Sequence, residues 1–341
     1  MSFGRGDKTS EDSRIEAPVK RRDIMTVYDC LIVGGGIAGL QAAIQIGRYG
    51  HSALVADKAD GRSTLCRSYH NVLGWPDGIS GDELRRLGRT HAERTGVRFV
   101  KDEIVSASRR GDTFELVGRD GGAYEAKTVL LATGIVDRFP DLPGLVPCLG
   151  KTVYVCPDCD GHEVRNRKTI VMGSGDTGAG MAMVLSAMTA DLVFVNHERQ
   201  PIRPDLAKKL RERDIVVVNE AIADVLESND GEFQGVKLAG GGDIWADRGF
   251  IAFGGNEVRS GLAGQLGAER HENGHIMTDA RTKMTTVPNL WAAGDVGVHS
   301  EQVAIAMGEG IQAAIWMHKA LLRMGEEAPA EARPTAAGSG V

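Results

Sequence analysis

Val27-Tyr28-Asp29-Cys30-Leu31-Ile32-Val33 runs without a break into Gly34-Gly35-Gly36-Ile37-Ala38-Gly39, and this junction sets the architecture of the chain. A mostly apolar run that ends in glycines reads as a buried parallel strand. From Ile37 to Tyr49 small and apolar residues recur at helical spacing, and Ala53-Leu54-Val55-Ala56 forms the next apolar run, closed by Asp57. Strand, glycine turn, helix, strand and acid in this register make a βαβ unit that holds a dinucleotide. Gly34, Gly36 and Gly39 divide the work: a tight turn, a backbone that approaches a pyrophosphate, and close packing of helix on strand. The helix start at Ile37 and Ala38 offers free N–H groups to the phosphates. Asp57, with Lys58 beside it, stands where a carboxylate accepts hydrogen bonds from both ribose hydroxyls.

The pattern recurs. Thr169-Ile170-Val171-Met172 precedes Gly173-Ser174-Gly175-Asp176-Thr177-Gly178, residues Ala179 to Met188 read as a helix, and Leu192-Val193-Phe194-Val195 reads as the second strand. Asp57 follows Gly34, and Asn196 follows Gly173, by the same 23 positions. A β-rich stretch follows each unit in the same relative place, near 97–117 and 215–238. The expected fold is therefore α/β, with two nested Rossmann-like, three-layer nucleotide-binding domains. One is discontinuous, over 26–138 and 250–325, and the other, over 139–249, is inserted between its parts. Residues 1–25, with Met25 a candidate start, and 326–341 read as disordered extensions; the Ala/Pro/Gly/Ser composition after Pro329 cannot bury a core.

The 341 residues suffice for two domains, and 42% apolar with 25% charged residues is ordinary for a globular chain. A formal charge of −6, with five Tyr and four Trp and no interleaved basic patches, excludes a nucleic-acid surface. No apolar run reaches the roughly 18–20 residues that span a bilayer, and the polar N-terminus lacks the apolar core of a signal peptide. Five cysteines with only one close pair do not make a disulfide scaffold, so the expected location is cytoplasmic.

That close pair is Cys156-Pro157-Asp158-Cys159, followed by Asp160 and Gly161. Two sulfurs at this spacing can bond across one turn, and a helix start gives the first of them thiolate character. His162 extends the motif to C-x2-C-x2-H, but three ligands without a second pair do not make a structural zinc site, so no metal is expected. Two further segments, Val129-Leu130-Leu131-Ala132-Thr133-Gly134 and Asn289-Leu290-Trp291-Ala292-Ala293-Gly294-Asp295-Val296, are apolar strands that end in small-residue turns; the second leads to Gln302-Val303 and a glycine-containing helix.

Together with the dithiol, these segments resemble the low-molecular-weight thioredoxin reductases and their flavoprotein relatives, over roughly residues 26–323. The resemblance implies FAD at the first site, touched by Thr133 and Gly134 and by Gly294 and Asp295. It places Asp295 on the ribityl chain, Gln302 and Val303 near the flavin ring, and Asn71, in His70-Asn71-Val72-Leu73-Gly74-Trp75-Pro76, in a flavin-contacting loop. It gives Cys159 the flavin-facing part, Cys156 the attack on the substrate disulfide, and Asp160 the general acid–base role, which requires a carboxyl able to hold a proton near neutral pH. It also implies a homodimer whose domains rotate, with hinges near Asp137–Pro143 and Gly249–Gly254.

The second site, with Gly173, Gly175, Asp176, Thr177 and Gly178, keeps its fingerprint but not the usual reader. NADPH-dependent relatives carry His-Arg-Arg after the second strand, whereas here the register gives Asn196-His197-Glu198. A carboxylate at Glu198 repels a 2′-phosphate, and Arg199 compensates only if the loop shifts by a residue. NADPH is thus disfavoured. NADH with Glu198 on its ribose, a second flavin, and no nucleotide with ferredoxin as donor all remain open, as does a domain kept only for its fold. The expected function is an FAD-dependent disulfide oxidoreductase that reduces thioredoxin or a similar protein disulfide. The alternative is a dithiol oxidase that closes a disulfide in a small molecule with oxygen as acceptor.

Overall fold

The structure, a computed structural model, describes residues 26–298 and 301–327. The expected N-terminal extension and the segment after 327 lie outside the described residues. Two parallel sheets, one for each fingerprint, organise the rest. In the first, strand Val27–Val33 lies between Ala53–Ala56 and Ala123–Leu131, parallel to both, with Arg98–Val100 beyond Ala53–Ala56. The other edge of Ala123–Leu131 divides. Residues 129–131 take the parallel strand Leu290–Ala292, while 123–126 take Thr113–Gly118 of an antiparallel extension. Pairing of Val33 with Ala56 brings Asp57 out beside the glycine turn. A Cβ on Gly35 would stand 2.7 Å from the Asp57 carboxyl carbon.

Helices Ile37–Arg48 and Val303–Glu327 cover one face of this sheet. Small residues make that possible: Ala38, Ala42, Ala313 and Ala314 are buried in one cluster with Trp291 and Met317. At Gly310 the helices come so close that a Cβ would lie 2.3 Å from the Ala38 carbonyl oxygen. The opposite face packs Leu31, Leu54, Phe114, Leu116 and Ile276 into a second cluster. Helix Val303–Glu327 continues two residues into the stretch expected to be disordered from 326 onward, carried by its packed N-terminal turns.

The second sheet has five parallel strands in the order Val216–Val218, Leu192–Asn196, Thr169–Gly173, Arg248–Ala252, Val153–Tyr154. A separate antiparallel sheet, Ile222–Glu227, Phe233–Leu238 and Asp243–Trp245, packs its buried face on the same core. Two sequence-derived boundaries need correction. Strand Arg248–Ala252 belongs wholly to this second sheet, where residues 249–252 are buried, so the chain does not return to the first domain at 250. It crosses later: Glu257–Val258 pairs antiparallel with the outgoing Ile135–Val136, a two-stranded ribbon that joins the domains. Gly249 is therefore a strand residue and not part of a hinge. The fingerprint helix runs over Gly175–Leu185, starting four residues before Ala179, because its first turn is the glycine loop itself. No helix among the described residues is long and apolar enough to cross a membrane.

Candidate active site

A cavity of about 450 Å³ lies between the first fingerprint and the dithiol. Gly34 holds φ at +105°, and a Cβ there would meet the Ala132 carbonyl oxygen at 2.3 Å, so only glycine closes this turn. Gly36, Ile37 and Ala38 line the cavity; Gly36 caps the helix with open space where a Cβ would be. The helix start has no side-chain cap and no acid in its first turn, which leaves its N–H groups for an anion. Gly39 faces inward and packs on Gly34, where a Cβ would stand 1.9 Å from its carbonyl oxygen. Asp57 and Lys58 line the same space, and Arg85 holds Asp57 at 2.9 Å. Thr133 and Gly134 form another wall, the Thr133 hydroxyl donating to the Arg259 carbonyl at 2.6 Å. Gly294, Asp295, Gln302 and Val303 complete it. The Gly294 N–H donates to Glu309, which in turn pairs with Lys283 at 2.8 Å. An uncapped helix start, a side-chain-free wall and a ribose-side carboxylate in one elongated space fit a dinucleotide such as FAD.

The dithiol stands at the far end of that space. Cys156 caps helix Pro157–Asp160 and is bonded to Cys159, with Cα atoms 5.3 Å apart. Cys159 is the one that reaches the first domain: its sulfur lies 3.5 Å from Gln302 Nε2 and 3.6 Å from the Glu301 carbonyl. Asn71 does not line the cavity; its amide donates to Gln302 Oε1 at 2.9 Å and so orients the side chain that meets Cys159. Asp160 is half-buried on the wall of the same cavity. Burial, with Glu163 adding to it and Arg62 opposing, pushes its carboxyl up to about 7. The other cysteines are apart from this chemistry. Cys30 and Cys148 are buried and burial pushes their thiols up to about 12 and about 11; Cys66, half-buried at the cavity, is likewise pushed up to about 12.

Sequence reasoning missed Arg62. It follows Asp57 by five residues, inside a turn no motif marks, yet it sits in the cavity among three carboxylates. It grips Asp137 with two hydrogen bonds, 2.7 and 2.9 Å long, and also reaches Glu301 and Asp295. Burial raises the Asp137 carboxyl in spite of the arginine. Asp137 directly follows the Ile135–Val136 crossing strand, so the cavity is tied to the ribbon between the domains.

The second fingerprint lies outside the cavity, on the dithiol domain. Gly173 pairs with Asn196; Gly175 has φ +47°, and a Cβ on Gly178 would meet the Phe194 ring at 2.3 Å. Asn196 occupies the place that Asp57 holds in the first unit. Only 1% exposed, it accepts the Gly175 N–H at 2.9 Å and donates to the Gln200 carbonyl and to Asn219. Asp176 accepts the Arg203 N–H at 2.8 Å and pairs with its guanidinium. Thr177 packs against Gly254. Glu198 returns toward the fingerprint: Ser174 hydrogen-bonds to it and Arg138 pairs with it, and both hold its carboxyl below the usual range. Arg199 is exposed in a left-handed turn, φ +54°.

Two parallel nucleotide-binding sheets with a bonded Cys-x-x-Cys between them define a disulfide oxidoreductase. Residues 28–310 match the model of the pyridine nucleotide-disulphide oxidoreductase family, and the chain belongs to that family. It is 33% identical over 301 residues to the thioredoxin reductase of Treponema pallidum, covering 85% of this chain and 95% of that protein. Against the thioredoxin reductase of Streptomyces coelicolor the identity is 31%, covering 91% and 99%. Among solved structures, HlmI superposes with a TM-score of 0.80 at 28% identity, covering 87% of this chain and 93% of that one. Thioredoxin reductase from Streptococcus pyogenes gives 0.79 at 26%, covering 87% and 99%. The chain is a flavin-dependent disulfide oxidoreductase.

Proposed function

We propose that the protein passes electrons through FAD and the Cys156–Cys159 pair to a protein disulfide of the thioredoxin kind. The observation that carries this reading is the placement of Cys159 against Gln302 in the dinucleotide cavity, with a protonatable Asp160 next in the chain. When bound along the first fingerprint, FAD would supply a two-electron carrier for that disulfide. Gly34, Gly36, Ile37 and Ala38 would hold its phosphates, Asp57 its ribose, and Thr133, Gly134, Gly294, Asp295, Gln302 and Val303 the remainder.

In the reduced protein, the Cys156 thiolate attacks one sulfur of the substrate disulfide. That S–S bond breaks, and its electron pair leaves with the second sulfur, which takes a proton from Asp160. The Cys159 thiolate then attacks the Cys156 sulfur. The mixed disulfide breaks, the second substrate thiolate departs, and the Cys156–Cys159 bond returns with two electrons transferred. Cys156 is half-buried, so the substrate meets it after the dithiol domain turns on the ribbon. The family resemblance also carries the expectation of a cytoplasmic homodimer.

The test is anaerobic. Purified protein reduced with dithionite is mixed with oxidised thioredoxin, and product thiols are counted. Cys159→Ser should keep its yellow flavin and lose turnover. A folded protein without flavin, or a Cys159→Ser variant that still turns over, overturns the reading.

A further inference from the structure

Resting on the flavin–dithiol reading, we propose that the second fingerprint takes a dinucleotide whose adenine ribose keeps its free 2′,3′-diol. Glu198 is the acceptor for that diol, and Arg138 is the group the diol displaces. Asn196, in the place of the first unit's ribose acid, is unavailable. Its side-chain hydrogen bonds go to Gly175, Gln200 and Asn219, and they shape the turn itself. His197 is engaged with the Ile222 N–H, and the next carboxylate along the chain is Glu198, which faces Ser174 inside the fingerprint. A carboxylate there receives two hydroxyl donors and repels a phosphate dianion.

Arg138 is not positioned as a phosphate reader in compensation. Its Nη1 donates to the Phe253 and Gly254 carbonyls at 3.2 and 3.4 Å, and its backbone N–H donates to Asn256 Oδ1 at 3.0 Å. These three partners belong to the returning segment between the domains, so the guanidinium is fixed on the crossing and its remaining edge goes to Glu198. The fingerprint rests on the same crossing, because a Cβ on Gly254 would lie 2.9 Å from Thr177 Oγ1. A diol that claims Glu198 therefore undoes a bond between the dithiol domain and the ribbon. Asp137, the residue before Arg138, holds Arg62 in the flavin cavity, and Asn256 touches both residues. Occupancy of the second site and the hold on the dithiol over the flavin are thus coupled through two successive residues, and the coupling is reciprocal.

Calorimetric titration of the flavin-loaded protein with NADH and with NADPH tests this. Wild type should bind NADH about tenfold or more tightly than NADPH, the difference that charge-assisted hydrogen bonds supply. Glu198→Ala should bring the ratio close to one, with Glu198→Gln as the milder second variant; the flavin content of each variant reports its folding. Arg138→Met should tighten NADH several-fold, because the carboxylate no longer leaves a guanidinium to meet the diol. NADPH preferred by wild type, no binding of either nucleotide, or weaker NADH binding by Arg138→Met overturns the proposal. Dithionite-driven reduction of thioredoxin by wild type uses neither NADH nor NADPH, so it tests the underlying flavin–dithiol reading separately.

Discussion

Asp160 is a carboxyl that shares its proton at neutral pH because partial burial and the charge of Glu163 raise it, with Arg62 too weakly placed to offset them. Two predictions belong to this residue. The acid form needed to protonate a leaving thiolate is lost as pH rises through about 7. The rate of substrate reduction by the prereduced protein should therefore fall through that range, and Asp160→Asn should flatten the profile and lower the rate about a hundredfold; stopped-flow measurements from pH 5.5 to 8.5 check both. Stability follows the same shift. A carboxyl raised in the folded state from 3.8 to about 7 contributes stability that is full below the lower value and lost as pH rises through the upper one. Asp160→Asn should thus melt higher than wild type at pH 8.5 and show no such gain at pH 4, by calorimetry of the oxidised protein. The acid, the dithiol and Asp57 were legible in the sequence because each stands at a fixed step from a motif. Arg62, Arg85 and Arg138 were not, because an arginine's role is set by the carboxylates that folding brings to it from distant positions.

The pair of helices on the first sheet shows how element packing reaches the cofactor site. Helix Val303–Glu327 touches Ile37–Arg48 through Gly310, and a methyl group there would press on the Ala38 carbonyl in the first turn of the helix proposed to hold the flavin phosphates. Gly310→Ala should cost about 1–3 kcal/mol by overpacking, and should lower the flavin-to-protein ratio. Gly308, two residues away and exposed, meets nothing within 4 Å. Gly308→Ala should instead stabilise by about 0.5–1 kcal/mol, because alanine loses less backbone freedom in a helix. Urea denaturation of the two variants, with flavin absorbance read on the same samples, separates packing from propensity. At this scale the repeated βαβ pattern was readable from periodicity alone. The extent of the second domain was not: Arg248–Ala252 is an apolar run that suits either sheet, and only its pairing with Thr169–Gly173 decides.

Across the whole molecule, the dithiol domain closes on the first domain where the Arg67 N–H meets the Gly150 carbonyl at 3.0 Å, with the Cys66 backbone 2.8 Å from where a Gly150 Cβ would lie. Rotation on the Ile135–Val136 and Glu257–Val258 ribbon must part this contact. Cys66 should therefore resist alkylation in the resting protein and label faster during turnover, a difference that peptide mass spectrometry can follow. Equal labelling rates in the two states would mean the domains stay closed. The burial of Cys30 and Cys148, both 0% exposed, has a practical consequence at the bench. With those two hidden, a colorimetric thiol reagent added to the native reduced protein should register at most three equivalents, from Cys66, Cys156 and Cys159. The unfolded chain should register five when reduced and three when oxidised. The fraction of molecules carrying electrons is then available from one absorbance ratio, with no light absorbed by the flavin needed to obtain it.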